Sequence, residues 1–344
     1  MVMILPTSGR AGNPQRIGQA GAAELLINPW ARCSGWGGAN SASIHGLEAM
    51  YLNVAGIAFT QKTELIFCRT SWLKGTDINI NSFGFTQKVG ESGVFGLGMM
   101  SMDMGDIQIT TTDLPEGGIG TYSPSFMNLG LSYAKVFSNS IYGGITMKLI
   151  SESISDVSAM GATFDAGIQY VTGIGKDKAG KKKTDNLKFG ISLKNVGPPM
   201  KFTGDGLSFR ATVPATGNIL TVEQRSDKFE LPSLVNIGGT YEMKVRENHH
   251  INVAGNFCSN SFSKDQYSIG LEYGYKTYFM LRGGFTYEQD ILDANLRTTA
   301  LTGPSAGFTV EIPIGKGKSF GLDYSYRATN PFQGCHSMGA RINL

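Results

Sequence analysis

The sequence is short of charge. Asp, Glu, Lys and Arg make up 17% of its 344 residues, and 30 basic residues against 27 acidic ones leave a net charge of +3. A surplus so small and dispersed excludes a nucleic-acid-binding surface. Proline is scarce at 12 residues, which excludes a collagen or a Pro-rich linker. No apolar run reaches the about 18 residues that a membrane helix needs, so helical spans are excluded too. The four cysteines, Cys33, Cys68, Cys258 and Cys335, form no C-x-x-C pair and so no zinc or redox spacing. They read as buried or barrel-wall thiols, with a single disulfide left open.

Glycine is abundant, with 46 residues. The content is 41% hydrophobic and 10% aromatic, which excludes disorder for most of the chain. Low charge, high Gly and many aromatics leave a soluble all-β protein or a transmembrane β-barrel, whose spanning signal is weak per segment.

From about residue 62 the dominant pattern has period two. Leu129, Leu131 and Tyr133 alternate with Asn128, Gly130 and Ser132. Phe320, Leu322, Tyr324 and Tyr326 alternate with Gly321, Asp323, Ser325 and Arg327. Such alternation marks a sheet with one apolar and one polar face. Fourteen segments carry it, at 62–72, 76–89, 91–103, 126–138, 139–153, 158–172, 184–196, 231–247, 249–263, 265–276, 277–291, 304–314, 317–328 and 333–344. Many are longer than the roughly five or six residues of soluble strands and match the ~9–11 of a tilted membrane strand.

Loop length sorts by parity, as in an up-and-down barrel with tight periplasmic turns and long external loops. The long loops 104–125, 197–230 and 292–303 are all odd in order. The even connections are tight, except the basic stretch 173–183. The polar face is rich in Gly, Ser, Thr and Asn, which suits a crowded lumen approached by another segment. The expected fold is therefore all-β: a 14-stranded antiparallel transmembrane β-barrel over 62–344, integral to the outer membrane and in contact with its lipid.

Residues 13–61 lack the alternation. Leu47, Met50, Tyr51, Val54 and Ala58 fall at helical spacing, and Cys33–Asn40 is Gly-rich. So much apolar content is placed most economically inside the lumen, as a hatch with Leu25, Leu26, Trp30, Trp36, Met50 and Tyr51 as its apolar anchors. The alternative is a small periplasmic cap. Residues 1–12 read as the end of an export signal, cut near Ala11 or Gly12, or else as a frayed N-terminus.

Catalytic chemistry is missing. There is no G-x-S-x-G, and Gly175–Lys182 nearly fits a phosphate loop but lacks its hydroxyl residue and strand–helix context. His249–His250 reads as a solvated pair at a turn. His336 and Ser337 are adjacent on a strand, so they point to opposite faces and cannot act together. Asp103, Asp106, Asp113 and Glu116 read as a solvated acidic loop. No catalytic residue, cofactor site or metal site is expected.

Gln15–Ile27, Ala31–Asn40 and Glu48–Ile57 resemble the N-terminal signature of the PorV/PorQ family, which belongs with the FadL-like fourteen-stranded outer-membrane barrels carrying an N-terminal hatch. Asn53-Val54 stands where FadL-like proteins often show Asn-Pro, and the final residue, Leu344, is not aromatic. The resemblance implies a non-enzymatic role in the type IX secretion system of Bacteroidota. Its implied partners are a translocon subunit, secreted proteins bearing C-terminal signal domains, or both. The FadL branch instead implies passage of hydrophobic small molecules, which would require a greasy pocket running from the outer face to the hatch and a kink or gap in the wall. Ile109, Leu114 and Ile119 in one long loop, and Phe202, Leu207, Phe209 and Val213 in another, are the expected partner-binding anchors; the alternative is a self-packed lid.

Overall fold

The computed structural model describes residues 13–176, 180, 183–215, 217–315 and 317–344. The expected export signal over 1–12, and residues 177–179, 181 and 182 of the basic turn, lie outside the described residues.

Among the described residues, fourteen antiparallel strands close into one barrel. They are β1 (Thr63–Ser71), β2 (Asn79–Val89), β3 (Gly93–Asp103), β4 (Ser125–Val136), β5 (Ile141–Ile154), β6 (Val157–Thr172) and β7 (Leu187–Val196). Then follow β8 (Leu234–Arg246), β9 (His249–Asn260), β10 (Gln266–Tyr275), β11 (Phe279–Glu288), β12 (Leu301–Gly315), β13 (Lys318–Thr329) and β14 (Cys335–Asn343). Each strand pairs with its sequence neighbours, and β1 closes on β14 with Phe67 opposite Ala340. Closure leaves no sheet edge unpaired, which is the condition for strands to cross hydrocarbon. A barrel of this kind fits an outer-membrane protein.

The period-two pattern is realised as two faces. Phe67, Leu131, Ile145, Ile191, Ile269 and Met338 are exposed on the outer wall. Their neighbours Cys68, Ser132, Thr146, Ser192 and Ser337 are buried toward the lumen. The apolar side chains are thus outside and the small polar ones inside, the inverse of a soluble barrel. Pairing slips at Leu301/Ser305 and Pro313/Gly315, near prolines that cannot donate to the ladder, and at Phe164/Ala166 on β6. A further shift lies at Lys244/Arg246 on β8; through all of these local irregularities the strands still close into one barrel.

The long connections lie at one end. Residues 104–124 include a small antiparallel pair, Ile107–Gln108 with Thr121–Tyr122. Residues 197–233 include the pair Met200–Lys201 with Lys228–Phe229 and a projecting hairpin, Ser208–Thr212 with Ile219–Glu223.

The adjacent histidines do not sit in a turn. His249 opens β9 and holds the Tyr273 hydroxyl at 2.6 Å through Nδ1, while His250 pairs across the ladder with Gly274. They depart from the expected solvated pair because the turn before them is only residues 247–248. His336 and Ser337 do face opposite ways: Ser337 accepts from Thr70 Oγ1 at 2.7 Å, while His336 Nδ1 meets the Tyr324 hydroxyl at 2.8 Å.

Candidate functional site: the threaded lumen

The residues before β1 run through the barrel from the long-loop end to the short-turn end. At the long-loop end Gly21 N–H donates to Glu230 O at 3.0 Å and Arg16 pairs with Glu230 at 3.0 Å. At the other end Thr60 Oγ1 meets Thr86 Oγ1 at 3.0 Å, just before the chain turns into β1. Between them lie two short helices, α1 (Ala31–Gly35) and α2 (Ala49–Leu52), and the 3-10 turn Val54–Phe59.

The glycines of the inner wall mark where this segment touches. Gly84, Gly98 and Gly130 stand side by side on β2, β3 and β4. A Cβ at Gly84 would come 3.0 Å from Leu47 Cδ2, one at Gly98 3.1 Å from Met50 Sδ, and one at Gly130 3.0 Å from Met50 Cε. Across the lumen a Cβ at Gly270 would come 2.6 Å from Trp36 Cε3. The sequence leaves side chains off the wall where the threaded segment fills the space.

The two sides of the segment are held by different chemistry. Leu47, Met50, Leu52, Val54 and Ile57 form an apolar cluster that also includes Ile66, Cys68 and Val94 of the wall. The opposite side is held mainly by hydrogen bonds, around a smaller apolar contact of Trp36 and Ala39 with Ala254. Ser41 Oγ donates to Asn256 Oδ1 at 2.6 Å, Thr240 Oγ1 to Ser43 Oγ at 3.1 Å and Thr286 Oγ1 to Gly37 O at 2.8 Å. A buried belt of charge completes the seal. Arg32 lies 3.6 Å from Glu48, Arg282 lies 2.8 Å from Glu272, and Arg341 lies 2.9 Å from Glu311 and 4.0 Å from Glu64. Within the segment, Cys33 N–H donates to Glu48 Oε2 at 2.9 Å and Arg32 Nη2 donates to His45 O at 2.9 Å; Leu47 N–H donates to Glu64 Oε2 at 2.5 Å and so ties the segment to the wall. Sequence reading missed this belt, because its charges are scattered singly along the chain.

Two chambers flank the segment. The inner one, about 540 Å³, is lined by Arg32, Glu64, Lys188, Glu242, His250 and Arg341 among others. The outer one, about 370 Å³, is lined by Asn28, Tyr51, Lys194, Asn236, Asn256 and Arg327 among others. A small apolar pocket of about 50 Å³ lies between Leu25, Ile27, Trp30, Met50 and the wall glycines Gly98 and Gly130. It shares Ile27 and Tyr51 with the outer chamber. In place of one continuous greasy pocket there is this apolar recess beside a chamber of mixed lining, in which Leu26, Leu52 and Leu234 stand among the amides and charged groups.

Of the expected hatch anchors, Leu25, Trp30, Trp36 and Met50 are buried and Leu26 and Tyr51 half-buried. The expected partner-binding residues divide. Ile109, Leu114, Ile119 and Phe209 are exposed, whereas Leu207 and Val213 are half-buried. Phe202 packs on Phe229, with ring centroids 5.3 Å apart, beside Met200 and Leu25. That part of the loop is a self-packed lid over the threaded segment. Among the described residues no cluster suited to a metal ion occurs. Asp103 and Asp106 instead bond locally, to Gly105 N–H and Ser123.

No protein-family model matches the sequence, and no curated protein does. Solved structures do resemble it. The Pseudomonas putida toluene transporter TodX is 13% identical, with 92% of this chain and 97% of that chain covered and a TM-score of 0.58. The Ralstonia pickettii toluene transporter TbuX is 14% identical over 92% and 97% of the two chains, with a TM-score of 0.54. The monoaromatic hydrocarbon channel CymD is 12% identical over 92% and 97%, with a TM-score of 0.52. At such identity the likeness is one of fold, and these neighbours are transporters and channels rather than enzymes.

Proposed function

We propose that this protein is a gated outer-membrane passage for small hydrophobic molecules, with the threaded segment as its hatch. The observation that carries this reading is the lumen itself: one segment separates an outer from an inner chamber, and an apolar recess opens beside the outer one. The shared fold with toluene and monoaromatic hydrocarbon transporters supports it. The strands close into one barrel, so passage requires the segment to shift rather than a permanent opening. The polar side of the segment is the side that can part, because hydrogen bonds there are replaced by bonds to water at little net cost, unlike apolar contacts. Proteoliposomes containing the protein are expected to take up radiolabelled toluene faster than empty vesicles corrected for passive partition. Uptake equal to the empty control would refute the reading.

A second reading is favoured by one observation. The hairpin Ser208–Thr212 with Ile219–Glu223 projects with Phe209 at 53% exposure and Ile219 at 64%. Apolar groups so exposed mark a surface for a partner. In the PorV-like version, that partner is a type IX translocon subunit or a secreted protein with a C-terminal signal domain. Replacing 208–223 by a short Gly-Ser turn is expected to abolish co-purification of such a partner while the barrel stays folded. Unchanged co-purification would remove the hairpin from that role.

A further inference from the structure

We infer that the outer chamber binds a small hydroxylated anion with the chemistry of a sugar acid. The inference goes beyond hydrophobic passage and does not depend on it. Two cations line the chamber from opposite strands, Lys194 on β7 and Arg327 on β13. Lys194 is only 3% exposed, yet its Nζ rests on the Tyr51 ring at 3.8 Å and on no carboxylate among the described residues. The guanidinium of Arg327 likewise makes no hydrogen bond or ion pair among the described residues, and half-buried it faces the same space.

The nearby acids are already engaged. Asp165 is held by Lys148 at 2.7 Å and by the Asn195 N–H at 2.8 Å. Glu288, in the chamber wall, is held by Gln266 at 2.9 Å and Thr298 at 3.0 Å and forms an ion pair with neither Lys194 nor Arg327, so one carboxylate faces two cations in the chamber. A buried cation without a counter-charge is costly, and an anionic ligand supplies that charge.

The remaining wall is mixed, with Leu26, Ile27, Leu52 and Leu234 beside a set of amides and hydroxyls. Asn28, Asn236, Asn256, Asn260, Ser268 and Thr286 supply the polar groups, and Trp72 offers an aromatic face. Amides and hydroxyls suit a hydroxylated ring, and an aromatic face suits its C–H side. The volume, about 370 Å³, falls in the range of small-molecule sites.

The test is calorimetric titration of the full chain, folded in detergent, with D-glucuronate and D-glucose 6-phosphate. D-glucose and decanoate serve as controls. Both anions are expected to bind saturably, and glucose about tenfold more weakly or worse, as loss of a charged hydrogen bond requires. Lys194→Met and Arg327→Gln should each weaken the anions by about tenfold or more. If heat-modified gel mobility shows that Lys194→Met does not fold, Arg327→Gln decides. The inference is overturned if neither anion binds, if glucose binds as well as they do, if the variants bind like the parent, or if decanoate alone binds. Toluene uptake is read separately, so failure here and failure of the transport reading are distinguishable.

Discussion

Glu48→Ala is expected to loosen the fold of the threaded segment inside the lumen while leaving the barrel closed. Glu48 is buried at the centre of the belt, where its Oε2 accepts the Cys33 N–H and faces Arg32. Alanine leaves a buried guanidinium without its carboxylate and a buried N–H without an acceptor. Breaking a buried pair from one side costs about 3–5 kcal/mol, enough to open the contact between the two halves of the segment, around Arg32 and around Glu48. The barrel ladder contributes nothing to this pair and should survive. The readout is trypsin cleavage after Arg32 in protein whose gel mobility still shows a folded barrel. The parent should resist and Glu48→Ala should be cut, with Glu48→Gln between them because it keeps an acceptor for Cys33. Equal resistance in all three would show that the Arg32–Glu48 pair does not hold the segment's fold.

The second large effect is a reversible block. Ser43 on the segment and Thr240 on β8 approach with their hydroxyl oxygens 3.1 Å apart. Cysteines there are placed for a disulfide. The native Cys33, Cys68, Cys258 and Cys335 are free and buried, so they do not compete. Oxidised Ser43→Cys/Thr240→Cys protein is expected to lose toluene uptake down to the empty-vesicle level, and reduction should restore it. Full uptake by the oxidised protein would mean that the polar side of the segment does not part during passage.

These two experiments address parts of the molecule that differ in how far the sequence revealed them. The strands were legible because period two is local: Leu129, Leu131 and Tyr133 declare one face and Asn128, Gly130 and Ser132 the other, with no knowledge of any partner. The filled lumen was legible from the same strands, since Gly130 makes sense only if something such as Met50 comes close. The belt was not legible. Arg341 meets Glu64 only because β14 closes on β1, and Arg282 meets Glu272 only through the β10–β11 register. The double character of loop 197–233 was hidden for a similar reason. Phe202 and Phe209 look alike in sequence, but the pairing of Met200 with Phe229 turns the first inward over Leu25 and leaves the second on a hairpin.

The central claim is that the apolar row of each strand meets hydrocarbon while its polar row meets the threaded segment. Single bimane labels on Leu131→Cys and Ile269→Cys, against Ser132→Cys and Ser268→Cys, test it in vesicles containing nitroxide-labelled lipid. Strong quenching is expected at 131 and 269 and little at 132 and 268. Quenching equal at all four sites, or absent from all, would contradict it.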